Sequence, residues 1–278
     1  MRQTAVFIDA GYLFAAGSSL ITGSKVPRVS CSLDIDKAIE TISEFAQAVE
    51  PNARLLRIYW YDGIRPYSGP SAEQMALGQT QNVKMRLGLL NSQGQQKGVD
   101  SLIVTDLIDL ARNKAICDAV ILAGDEDLRV GVQVAQSFGV RVHLLSITPT
   151  RGNVSPHLIQ EIDSLTEMSK DHVASFLTCK ATETAHPAPS NVKVPLEQPK
   201  HGPNDSTNLR VIAGAILDRF DKQQKLIFKK YLLDFKSLPR EIDAPMMAQA
   251  RHEAERDLSV EEKRKMRSYA RELLEAAE

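Results

Sequence analysis

The sequence predicts an α/β fold: a three-layer α/β/α sandwich with a central, mainly parallel sheet, followed by a small all-helical C-terminal domain. Three observations predict it. Over residues 1–178, apolar runs of strand type alternate with segments of helical spacing. The runs are apolar on both faces, as expected of parallel strands covered by helices on each side. A stretch with five prolines, residues 179–207, then separates this region from a helical remainder, residues 208–278.

In order, "TAVFID" (4–9) reads as a strand, and "LDIDKAIETISEFAQAV" (33–49) as a helix through Ile35, Ala38, Ile39, Ile42 and Phe45. "RLLRIYWYDG" (54–63) is a strand ended by Asp-Gly, and "VKMRLGLLNSQGQQKG" (83–98) a strand leading into a polar loop. "DSLIVTDLIDLARN" (100–113) is a helix and "DAVILAGD" (118–125) a wholly apolar strand. "EDLRVGVQVAQSFG" (126–139) is a helix closed by Gly139, and "VRVHLLSIT" (140–148) a further strand. After Pro156, "HLIQEIDSLTEMSKDHVASFL" supplies a closing helix, whole or broken in two. The Pro-rich segment lacks large apolar groups and reads as an extended linker. Beyond it, Ser259 followed by Glu262 is a capping box opening the last helix.

Composition narrows the function classes. The longest apolar stretches fall short of a membrane span, and the N-terminus enters a strand directly without a signal peptide. Cys31, Cys117 and Cys179 are scattered and odd in number, which gives neither a zinc spacing nor a disulfide framework and points to a reducing cytoplasm. The formal net charge is −1, so any polyanion would be held by local patches. Such a patch lies between Lys222 and Arg240, where six basic residues face one acid.

Acidic residues carry the chemistry. Ligands of open parallel sheets bind beyond the carboxyl ends of the strands. Asp9 ends the first strand there, and Asp125 and Asp127 follow "VILAG". Asp106 lies on the helix entering that strand. Asp100, at the start of the same helix, reads equally as a site acid or as an N-cap. Six residues separate the two, about 240° around a helix, so they do not share a face. Clustered carboxylates either share a proton or bind a hard cation such as Mg²⁺ or Mn²⁺. A glycosidase pair is disfavoured, because nothing isolates one carboxyl in an apolar pocket. The bland reading of "GDED" is a helix start whose acids cap and favour the dipole.

Basic and aromatic groups fall near the same rim: Arg65, Lys84, Arg86 and Lys97 for phosphate contact, Tyr12 and Tyr67 for base stacking. Each basic residue reads also as a solvated charge, and Tyr12 equally as a packing residue. His143 and His157 read as structural.

These residues carry a resemblance. "VFIDAGYLFAAG", "KGVDSLIVTDLIDLA", "VILAGDEDLRVGVQVAQSFGVRVHLLSI" and "SPHLIQEIDSLTEM" are similar, in order and spacing, to NYN domains of the PIN-like ribonuclease superfamily, in the bacterial LabA-like branch. The resemblance covers about residues 3–178. It implies a PIN-like sandwich and an Mg²⁺- or Mn²⁺-dependent ribonuclease centre acting on RNA. Carried across, Asp9, Asp106, Asp125 and Asp127 are metal ligands, and Asp100 matches the acid of the family's "KGVD" block beside Lys97. Arg65, Arg86, Lys97 and Tyr12 would contact substrate. One position departs: many relatives carry asparagine three residues after the first acid, where this chain has Tyr12. The function expected is a cytoplasmic, metal-dependent endoribonuclease, with two alternatives. One is a silent RNA- or protein-binding regulator that keeps the fold; the other is a small-molecule phosphohydrolase, for which no pocket motif is visible. The C-terminal helices read either as a surface for RNA or a partner, with "KQQKLIFKKY" as the basic stripe, or as a bundle for dimerisation or stability.

Overall fold

The structure, a computed structural model, describes residues 2–64, 69–90, 96–180, 206–254 and 256–276. The expected linker therefore lies almost wholly outside the described residues. The chain divides into two compact units, residues 1–70 with 77–181, and residues 71–76 with 182–278.

The first unit is built on a seven-stranded sheet. Its strands are β1 (Gln3–Asp9), β3 (Arg54–Ile64), β4 (Val83–Leu90), β5 (Gln96–Lys97), β6 (Asp118–Leu122), β7 (Arg141–Ile147) and β8 (Ser164–Met168). They run in the order β5-β4-β3-β1-β6-β7-β8, and all pairs are parallel except β4 with β5. β1 therefore sits at the centre, with later strands added first on one side and then on the other. In such sheets the crevice at the reversal point is where ligands are held.

Side chains alternate between the two faces of β1. Ala5 and Phe7 join a core with Tyr59, Tyr61, Ile121 and Leu144. Helix α4 (Val99–Arg112) covers that face with Ile103, Leu107 and Ala111, aided by α5 (Arg129–Ser137) and α7 (Pro156–Glu161). The opposite face carries α1 (Ala10–Thr22), α2 (Ile35–Val49) and α8 (Lys170–Phe176), which pack on one another. This is the predicted PIN-like sandwich. A single turn α6 (Thr150–Asn153) completes the unit; of the short helix α3 (Ala72–Gln79), residues 72–76 belong to the second unit and 77–79 to the first.

Three features differ from the sequence reading. The closing helix is in fact α7, then strand β8, then α8, because "SLTEM" pairs in parallel with β7 from Ser164 to Met168. The expected helix from 126 starts as a 3-10 turn, Glu126–Leu128, before α5. The third concerns cysteine. Strands β2 (Cys31–Leu33) and β9 (Leu177–Cys179) form a small antiparallel sheet that sets Cys31 opposite Cys179, and the two are disulfide-bonded across 148 residues of sequence. The expectation of no disulfide is corrected; Cys117 remains a free thiol.

The second unit holds helices α9 (Ser206–Leu217), α10 (Lys222–Phe235), α11 (Arg240–Ala254) and α12 (Val260–Ala276) around a core that includes Leu209, Ile216, Phe228, Ile242, Met246, Met266 and Leu274. The Ser259–Glu262 capping box forms: the Ser259 amide donates to the Glu262 carboxylate at 2.8 Å, and the Glu262 amide to the Ser259 hydroxyl at 3.2 Å. Among the described residues no helix is long and apolar enough to cross a membrane.

Candidate active site

Asp9 ends β1 at the centre of the sheet, with Ile8 in register with Leu122 of β6 and Asp9 with Tyr61 of β3. Only 8% of the residue is exposed. Its carboxylate caps α1, accepting the Gly11 amide at 2.8 Å. Burial pushes its pKa up to about 6; the charges of Asp100 and Asp62 act in the same direction, and the amides of Tyr12 and Gly11 oppose them.

Asp100 lies in the first turn of α4. That helix begins at Gly98, whose φ of 86° is a left-handed conformation that a side chain would strain. The cap position therefore belongs to Gly98, and Asp100 is left to act elsewhere. Burial raises its pKa, and the charges of Asp125 and Asp127 raise it further. Asp125 itself caps the 3-10 turn after β6, accepting the Asp127 amide at 3.1 Å, and both residues are exposed. Four carboxyl groups from three segments thus meet electrostatically at one sheet edge: Asp9 with Asp100, and Asp100 with Asp125 and Asp127.

Residues 3–169, more than half of the chain, match the family model described as NYN domain. The chain belongs to the NYN family. NYN domains are PIN-like and nuclease-like. A curated relative, the uncharacterized protein y4oD of Sinorhizobium fredii (strain NBRC 101917 / NGR234), is 45% identical over 212 residues, covering 73% of this chain and 96% of the relative. A solved structure of a protein of unknown function from Vibrio parahaemolyticus RIMD 2210633 is 16% identical with a TM-score of 0.41, over 64% of this chain and 96% of that one.

Not every sequence-predicted residue of this NYN domain joins the acids. Asp106 faces a different set of partners. Arg86 of β4 grips it with two hydrogen bonds of 2.8 and 2.6 Å, and the Tyr61 hydroxyl donates a third at 2.9 Å. Arg86 thereby pairs with a carboxylate. Tyr12 is packed: its hydroxyl accepts the Ile147 amide at 3.0 Å, and its ring lies against Gly124, where a Cβ would come within 2.7 Å of it. Burial raises the Tyr12 pKa to about 12, so it stays a neutral phenol at ordinary pH. Lys84 sits on β4 as an exposed cation. Arg65, Tyr67 and the side chain of Lys97 fall outside the described residues. His143 is buried and held by Ser164 and Asp118.

Two residues escaped the sequence reading. Asp62, taken there as part of a strand-ending Asp-Gly, is 2% exposed and contributes charge to Asp9. Arg28 pairs with it at 2.7 Å and lies over the Phe14 ring at 4.1 Å from its centroid. A buried acid at the C-terminal end of β3 was the available signal.

The donor chemistry of the acidic edge suits a hard divalent cation: all donors are carboxylate oxygens, and burial, reinforced by neighbouring acids, raises the pKa of Asp9 and Asp100. Among the described residues, however, no three acidic, histidine or cysteine groups stand close enough to hold one ion together. The carboxylates fit a cation by charge and donor type, not as a ready-made cage.

Proposed function

We propose that this NYN domain is a metal-dependent endoribonuclease that hydrolyses RNA phosphodiester bonds at an aspartate-built Mg²⁺ or Mn²⁺ centre. The observation that carries the reading is the carboxyl of Asp9, buried at the sheet's reversal point and held at a pKa of about 6 beside Asp100. Burying an acid among acids costs stability unless a cation offsets it. Asp9, Asp100, Asp125 and Asp127 would hold the ion, which when bound supplies an activated water and charge for the leaving oxygen. Asp9 is oriented by the amides of α1, so its free oxygen keeps one direction. Asp106 and Arg86 act as a positioning pair that braces β4 against α4. Lys97, on the short strand before Gly98, would neutralise the substrate phosphate.

A second reading, a silent RNA- or protein-binding regulator on the same fold, is favoured by one observation: Asp106 is fully engaged by Arg86 and Tyr61. Labelled RNA incubated with Mn²⁺ separates the two. The enzyme reading expects cleavage by the parent and none by Asp125→Asn. RNA retained by both proteins with no products would instead support the regulator.

A further inference from the structure

Beside the acidic edge lies a cavity of about 700 Å³ that the nuclease chemistry does not use. It is lined by Gly124, one residue before Asp125, by the segment 150–156, and by Ile159 and Glu167. That size lies inside the roughly 300–1,000 Å³ range of small-molecule sites.

The cavity is held open by a fixed wall. Gly124 has no room for a Cβ, which would fall 2.3 Å from the Asn153 carbonyl oxygen, so the segment lies directly on the end of β6. The Ser155 amide donates to the Gly124 carbonyl at 2.9 Å. The Thr150 amide donates to Glu167 at 2.9 Å, and Asn153 Nδ2 to the Ile147 carbonyl at 3.4 Å. These bonds tie the wall to β6, β7 and β8 alike.

Its chemistry is polarised. Arg151 is exposed and lines the cavity, and its guanidinium makes no ion pair among the described residues. Free guanidinium groups bind phosphate oxygens in a two-pronged fashion. Pro156 and Ile159 give an apolar surface suited to a flat base. Glu167, kept ionised by its bonds from Thr150, would turn a phosphate away from its own end of the cavity and toward Arg151.

We infer that this cavity is a nucleotide subsite, which takes the nucleotide next to the scissile phosphate, with Arg151 on its phosphate and the surface of Pro156 and Ile159 against its base. The inference rests on the nuclease reading for its place along the RNA, but nucleotide binding itself is independent of cleavage.

The test is equilibrium binding of 5′-AMP and of inorganic phosphate to the full chain in EDTA, by calorimetry. AMP should bind at least about tenfold more tightly than phosphate, and Arg151→Gln should weaken AMP about tenfold or more, with Arg151→Lys recovering part of the loss. Asp125→Asn should bind AMP as well as the parent or better. AMP binding no tighter than phosphate, or unchanged in Arg151→Gln, overturns the subsite. AMP binding intact in a protein that never cuts RNA supports the subsite and overturns only the nuclease reading.

Discussion

Asp9 concentrates the physics of the site in one side chain. Its pKa is raised from 3.8 to about 6, so the folded state binds its proton more tightly than the unfolded chain does. Stability from this group is therefore fullest below about pH 4 and declines as pH rises toward 6. Each pKa unit corresponds to about 1.4 kcal/mol. Asp9→Asn, which keeps an oxygen for the Gly11 amide, should gain about 1–3 kcal/mol at pH 7.5 and nothing at pH 4 in EDTA. Urea unfolding at the two pH values reads this directly, and an equal effect at both would remove the buried-charge argument. Arg86→Gln should lose about 1–3 kcal/mol, because it leaves Asp106 partly buried with Tyr61 as its remaining donor. At this scale the acids at strand ends were legible in the sequence, since strand pattern alone puts Asp9, Asp125 and Asp127 at one edge. The partner of Asp106 was not legible. Arg86 is twenty residues away on strand β4, where parallel pairing with β3 sets it beside Tyr61, and the two reach Asp106 on helix α4 together.

Elements were legible in proportion to their periodicity. The strands around Phe7, Trp60 and Ile121 and the helix of Ile103 and Leu107 stand where the pattern places them. Helix α1 was not recognised, because "AGYLFAAGSSLIT" is apolar on nearly all sides and shows no polar face. It lies against β9, α8 and β7: a Cβ on Gly17 would meet Leu177, Val173 and Ile147. Strand β8 was hidden because three of its five residues are exposed at the sheet edge, and its five residues sit between two true helical turns. At this scale Gly124→Ala is informative. The added Cβ meets the Asn153 carbonyl and the Tyr12 ring, so the wall of the cavity must shift. Loss of thermal stability of about 1–3 kcal/mol is expected, and weaker AMP binding with it. In the second unit, Arg256 holds the capping acid Glu262 down at a pKa of about 2. Its contribution is present above the ordinary carboxylate range and is lost as pH falls toward 2. Glu262→Gln should accordingly lower the melting temperature at pH 7 but not near pH 2, as circular dichroism of the helices would register.

For the whole molecule, the family assignment and the sandwich fold rest on order and spacing of motifs that the sequence carries openly. What it conceals is closure over long distances. Cys31 and Cys179 lie in three-residue strands, one inside the region matching the NYN domain and one just past its end, and no local pattern links them. Joining residues 148 positions apart restricts the unfolded chain strongly, so reduction or Cys31→Ser should cost about 2–5 kcal/mol. Unfolding with and without a phosphine reductant checks this, and identical midpoints would show that the bond adds nothing. The same long-range closure gathers Asp9, Asp100, Asp125 and Asp127 from distant segments, and the account stands or falls on whether they act together. Calorimetric titration with Mn²⁺ tests that most directly. The parent should bind the ion, Asp9→Asn and Asp100→Asn should each weaken it about tenfold or more, and Asp106→Asn should leave it nearly unchanged. No Mn²⁺ binding by the parent, or loss in Asp106→Asn with none in Asp100→Asn, would contradict it.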